Sequence, residues 1–204
     1  MKIRSFFKTL VFSYSMNIID NVIKEIEHLD YAIRQKYIPE SHYNIKTNLK
    51  PLWKLSKDKA TLLEQLTIDQ NPKTILELGT SSGYSTLHLK KGAPAANIFT
   101  IEFDPKKIIL AKHHFNKANI KINIIEARVN NALNHWSQPL DLVFMDCDKD
   151  YLHYFKQFLP YLNENALIIA DNIEKAENFE EYVKKNYEVK MNSGLLSFHA
   201  NRSS

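Results

Sequence analysis

Two textures of hydrophobic patterning divide this chain. Over residues 1 to about 70 the apolar positions recur at helical spacing, with Phe7, Val11, Ile18, Val22 and Ile26 on or near one stripe and Glu and Lys between them. Pro39 and Pro51 break this region into pieces. Ser56 is placed to cap a helix through "KDKATLLEQL" that ends before "DQNPK". From Thr74 the pattern changes to short apolar runs, "TILEL", "NIFTIE", "INIIEA", "LDLVFMD" and "ALIIAD". They alternate with helical patterns over 83–91, 105–118, 129–136, 151–162 and 176–186. Runs that are apolar on both faces and separated by helices predict a mostly parallel sheet covered by helices. The tail "YEVKMNSGLLSFHA" reads as a closing antiparallel hairpin around "NSG". The expected organisation is a helical N-terminal extension over 1–55 and one α/β domain over 56–204.

Composition narrows the classes. A length of 204 residues with 44% hydrophobic and 11% aromatic residues is enough for one well-filled core. The net charge of +4 is mild, and the Lys pairs at 90–91, 106–107 and 184–185 read as solvated helix ends, so no nucleic-acid surface is expected. A single cysteine, Cys147, excludes an internal disulfide. No run reaches the length of a membrane span, and Lys8 interrupts the apolar N-terminus, so a cytoplasmic protein without a signal peptide is expected.

The candidate chemistry sits at strand ends. With only four glycines in the chain, Gly79 and Gly83 in "ILELGTSSGYSTL" stand out at a strand-to-helix turn. Their spacing, Glu77-x-Gly79-x-x-x-Gly83, is not the G-x-G-x-x-G that passes a pyrophosphate, which argues against a nicotinamide dehydrogenase. Glu102 ends the second strand, 19 residues after Gly83, where a carboxylate can take both hydroxyls of a ribose. An adenosine ligand without phosphates points to S-adenosylmethionine. At the ends of the fourth and fifth strands, Asp146, Lys149, Asp171 and Asn172 converge on the same sheet edge. Two carboxylates and an amide oxygen suit Mg²⁺ or Ca²⁺. The eight histidines are scattered, with His113 and His114 facing two sides of a helix, and offer no zinc site. Cys147 reads as a packing residue.

Taken in order, "ILELGTSSGYSTL", "TIEFD", "FMDCDK" and "IIADN" resemble the class I S-adenosylmethionine-dependent O-methyltransferases of the catechol type and their bacterial relatives. The resemblance covers about residues 56 to 175. It implies a Rossmann-like, doubly wound sheet of seven strands with the last antiparallel. It implies that Glu77, Gly79, Ser81, Gly83, Tyr84 and Ser85 line the methionine side of the cofactor, with Glu102 on the ribose. The segment from Ala127 to Asn130 would lie near the adenine. Asp146, beside the cofactor, would share a Mg²⁺ with Asp171 and Asn172, and Lys149 would be the general base. The acceptor would be a small hydroxylated molecule with neighbouring oxygens.

The sequence departs from the family in places. Ala127 stands where glycine is common, and Asn165-Ala166 replaces the usual Pro-Gly-Gly. The tyrosine of "DYLHYF" is displaced by one, and the late acidic substrate ligand has only Glu177, Glu180 and Glu181 as candidates. Two other readings stay open: a metal-independent N- or macromolecule methyltransferase, and a binding module without turnover. The N-terminal extension reads as a structural cover, a homodimer arm, or a substrate lid bearing Tyr37, Tyr43 or Trp53.

Overall fold

A computed structural model describes Lys2–Arg34, Leu52 and residues 54–148 and 150–201, with side chains in the first helix described from Ser15 onward. Tyr37, Tyr43, Trp53, Pro39, Pro51 and Lys149 lie outside the described residues.

Seven strands form one sheet: β1 (Thr74–Leu78), β2 (Asn97–Glu102), β3 (Asn123–Glu126), β4 (Leu140–Met145), β5 (Leu162–Ala170), β6 (Val189–Asn192) and β7 (Leu195–His199). Their spatial order is β3-β2-β1-β4-β5-β7-β6. Strands β1 to β5 pair in parallel, while β7 is antiparallel to both β5 and β6. The expected closing hairpin is therefore present, and Ser193 and Gly194 at its tip hold the left-handed conformation. The order reverses between β1 and β4, which opens a crevice at their carboxyl ends.

The helices are α1 (Lys2–Arg34), α2 (Lys57–Gln70), α3 (Tyr84–Gly92), α4 (Pro105–Lys117), α5 (Val129–Leu133), α6 (Tyr151–Phe158) and α7 (Glu177–Asn186). Ser56 caps α2 as expected, accepting the N–H of Lys59. That helix runs further than the pattern indicated, to Gln70, and stops where Asn71 turns left-handed. Two other helices are shorter than their apolar periods. After α6 the chain tightens into a 3-10 turn over Leu159–Tyr161, where Pro160 has no N–H for an α-helical bond. After α5 the N–H groups of His135 and Trp136 reach back three residues, to Ala132 and Leu133. The fifth strand begins earlier than "ALIIAD", at Leu162, because a register irregularity against Leu140–Leu142 lets it pass through left-handed Asn165.

Pleating assigns neighbours on β1 to opposite faces, with Ile75 in one apolar cluster and Leu76 and Leu78 in the other. The first cluster joins the sheet to α1, α2, α3 and α4. It includes Val22 and Ile26 from the predicted stripe of α1, together with Ile19, Ile23 and Leu29, while Ile18 is only half-buried and the side chains of Phe7 and Val11 lie outside the described residues. Lys91 on α3 adds ion pairs to Asp20 on α1 (2.8 Å) and Glu64 on α2 (3.1 Å). The second cluster packs α5, α6 and α7 on the other face, with Phe155 edge-to-face against Phe158, Phe179 and Tyr187 and tilted against Phe198. Among the described residues no helix is long and apolar enough to cross a membrane.

Candidate active site

The chain leaves β1 by turning sharply at Gly79 (φ +99°). A Cβ here would stand 2.2 Å from the carbonyl oxygen of Asp146, so the end of β1 can pass the end of β4 only without a side chain. Gly83 (φ +82°) has a different task. Its missing Cβ would fall 2.5 Å from the ring of Phe115, so the glycine lets α3 start against α4. Between them Ser81 is left-handed (φ +48°), and its hydroxyl donates to the carbonyl of Leu52 at 2.6 Å. The carbonyl of Ser82 rests on buried His114, whose Nδ1 lies 2.7 Å away. Burial holds the His114 imidazole below its ordinary pKa, despite that backbone contact. A neutral ring with its proton on Nδ1 donates to the Ser82 carbonyl and stiffens the turn.

Glu102, 5% exposed, ends β2 beneath this turn. Its Oε2 accepts the N–H of Ser81 at 2.9 Å, and its Oε1 accepts those of Phe103 (2.9 Å) and Asp104 (3.0 Å). Three backbone donors fix the carboxylate before any ligand arrives. Arg128 lies over the exposed ring of Phe103, 4.6 Å from its centroid, at the cleft mouth.

Glu77 is fully buried and does not face the cleft. Its Oε2 accepts from the hydroxyls of Thr86 (2.5 Å) and Thr100 (2.6 Å), while Oε1 is left without a partner. Burial pushes its carboxyl up to about 7, against the pull of the surrounding Ser85, Thr100 and Thr86 hydroxyls.

On the other side of the crevice, Asp146 and Asn172 follow β4 and β5. Asn172 is left-handed (φ +54°) and its side-chain amide donates to Asp146 Oδ1 at 3.1 Å. Asp171, just behind, accepts the N–H of Asn172 at 2.8 Å and a hydrogen bond from the ammonium of Lys59. Burial raises the Asp146 carboxyl to about 6 and the Asp171 charge adds to this, while the Asn172 amide, Lys59 and Lys107 pull it back. The Tyr151 hydroxyl bridges both strand ends, 3.2 Å from the Met145 carbonyl and 3.0 Å from that of Asp171, and accepts the N–H of Cys147 at 3.3 Å. Burial and the nearby Asp148 and Asp146 charges push the Cys147 thiol well above its ordinary range, which leaves it no thiolate for nucleophilic work.

These groups surround one cleft of about 420 Å³. It is lined by Gly79, Ser81, Tyr84, Ser85, Glu102, Asp146 and Asn172 among the expected residues, and by Ala127 and Arg128 before α5 and Val129 at its start. Asn130 is not among them. Its side-chain oxygen is turned to α6, 2.8 Å from His153 Nε2 and 3.0 Å from Gln157 Nε2. Gly83 and Glu77 also stand back from the cleft, one under α3 and the other below the floor. Tyr84 lines it by its ring, while its hydroxyl donates to Glu27 of α1 at 2.8 Å. Glu180, one of the late acidic candidates, is paired with Lys184 at 2.6 Å.

The donor set of Asp146, Asp171 and Asn172 is all oxygen once the amide turns its Oδ1 inward, and it suits a hard divalent cation. Among the described residues no three His, Cys, Asp or Glu side chains gather into a metal cluster. Sequence reasoning missed Lys59, Tyr151 and the Leu52 carbonyl that takes the Ser81 hydroxyl. Lys59 gave no signal because it reaches Asp171 across 112 residues.

The family model described as O-methyltransferase matches residues 32–197, and the chain belongs to this family. A catechol O-methyltransferase of Niastella koreensis is 31% identical over 132 residues, which cover 60% of this chain and 59% of the relative. A catechol O-methyltransferase of Mycobacterium tuberculosis is 32% identical over 107 residues, covering 50% and 48%. The chain thus spans about half to three fifths of the length of these curated relatives. Among solved structures, the O-methyltransferase of Bacillus cereus in complex with SAH superposes with a TM-score of 0.68 at 20% identity, over 93% of this chain and 97% of that one. An SAH-bound methyltransferase of Podospora anserina gives 0.70 at 20% identity over 94% of both chains. At that identity the likeness supports the Rossmann-like fold.

Proposed function

We propose that this chain is an S-adenosylmethionine-dependent O-methyltransferase, assisted by Mg²⁺, that methylates a small molecule bearing two neighbouring oxygens. One observation carries the reading: the glycine turn and Glu102 share a single cleft with Asp146 and Asn172, and Asp171 backs it. The catechol O-methyltransferases of Niastella koreensis and Mycobacterium tuberculosis support the acceptor class.

S-adenosylmethionine supplies a sulfonium methyl, and a divalent cation held by Asp146, Asp171 and Asn172 would lower the pKa of an acceptor hydroxyl. The chain's own contribution is placement. Glu102 is anchored by three amides and keeps acceptor capacity for a ribose diol. The Phe103 ring and Arg128 offer an apolar and cationic edge where the adenine would lie. Lys149 follows Asp146 by three residues and takes the acceptor proton in this reading. Fixing both reactants in line is worth roughly 7–11 kcal/mol of the barrier in well-oriented systems.

The test is methyl transfer to a panel of vicinal diphenols, with Mg²⁺ and with excess EDTA. Product with Mg²⁺ and none in EDTA is expected. Lys149→Ala should lower turnover by about 10²–10⁴ while S-adenosylmethionine still binds. Asp146→Ala combined with Asp171→Ala should remove activity and its metal dependence together. Methyl transfer without metal is a second reading, favoured by the Lys59 ammonium already seated at Asp171. Full turnover in EDTA would select it.

A further inference from the structure

Lys59 occupies the first turn of α2, where Ser56 caps its backbone N–H. From there its ammonium crosses to the end of β5 and hydrogen-bonds Asp171 Oδ1. The pair is largely shielded, with side chains 23% and 6% exposed for Lys59 and Asp171. The β6–β7 turn leaves room for the lysine stem, since a Cβ on Gly194 would lie 3.1 Å from Lys59 Cε and 3.4 Å from Nζ. Three separate elements thus hold one cation against the acidic pair.

We propose that Lys59 is a built-in counter-cation of Asp171 that a divalent metal must displace, so that this chain binds its metal loosely by construction. The inference rests on the reading that Asp146, Asp171 and Asn172 take such a metal. Without a cation, two neighbouring carboxylates repel each other. The ammonium removes part of that repulsion and occupies Oδ1 of Asp171, one of the two carboxylate oxygens a metal could take. A metal entering the site therefore meets a resident positive charge and has to break a shielded ion pair. Removing the ammonium leaves the same oxygens with a stronger negative field. Lys59 acts on the metal through its ligand, as a positioning residue.

The experiment measures Mn²⁺ binding by loss of the free-ion electron paramagnetic resonance signal, with neither methyl donor nor acceptor present. Lys59→Met, which keeps the stem and drops the charge, is expected to bind Mn²⁺ at least about tenfold more tightly than the wild type, because a unit charge within a few ångströms is worth more than that factor at shielded sites. Lys59→Arg, which keeps the charge, should stay near the wild-type affinity. Should Lys59→Met fold poorly, Lys59→Gln retains an N–H donor to Asp171 and is expected to move affinity in the same direction. A wild type that binds Mn²⁺ beside neutral variants that bind it equally or more weakly would overturn the proposal and leave the metal reading standing. If neither wild type nor neutral variants take up Mn²⁺, the metal reading falls and this inference with it.

Discussion

Gly79 illustrates how a single atom governs the site. A Cβ there would strike the main chain of Asp146, which has no side-chain freedom with which to yield. Gly79→Ala is expected to cost at least about 2 kcal/mol in urea unfolding and to spread β1 from β4. An unchanged midpoint would contradict the close approach. Glu77 carries a second prediction. Its carboxyl rises from 4.5 to about 7, so between those values the folded chain holds a proton that the unfolded chain has released. Its contribution is therefore most favourable below the unfolded pKa and declines as pH rises toward 7, by about 3 kcal/mol in all. Glu77→Gln should match the wild type near pH 4.5 and gain on it steadily up to about pH 7. A stability difference that does not change with pH would refute the buried, half-orphaned carboxyl. The glycines and Glu102 were legible in the sequence because their geometry is local to one strand end and the turn after it. Lys59, Tyr151 and the Leu52 carbonyl were not, since each acts through a partner brought near only by the finished fold. Asn130 is a local motif position whose side chain is turned to a neighbouring helix, a contact that only the finished fold brings about.

Among the elements, α1 does the most that a domain outline would hide. Its apolar stripe enters the same cluster as β1, β2 and α3, and Glu27 takes the Tyr84 hydroxyl at the start of α3. Ile26 is fully buried in that cluster. Ile26→Ala is expected to destabilise the chain by about 2–5 kcal/mol in a single cooperative transition. A loss below about 0.5 kcal/mol, or a separate early transition, would mean that α1 is a detachable arm. Strand and helix identities were readable because parallel strands buried on both faces make continuous apolar runs. Element ends were less so. A periodic apolar pattern continues through Pro160 and through the turn after Leu133, while the backbone bonds there change from four-residue to three-residue spacing. Asn165 was readable in part, because asparagine tolerates the left-handed conformation that its strand irregularity requires.

At the scale of the whole molecule, function follows from where the strand order reverses. The crevice between β1 and β4 brings the glycine turn, the β2 carboxylate and the β4 and β5 acidic ends to one edge, although they are spread over almost 100 residues of chain. The central claim is that this edge binds an adenosyl sulfonium. Calorimetric titration of S-adenosylmethionine into the folded protein, with and without Mg²⁺, tests it most directly. Saturable binding of one ligand per chain is expected, weakened about tenfold or more in Glu102→Ala, where the anchored carboxylate is lost. Absence of binding in both conditions, from protein shown to be folded, would contradict it.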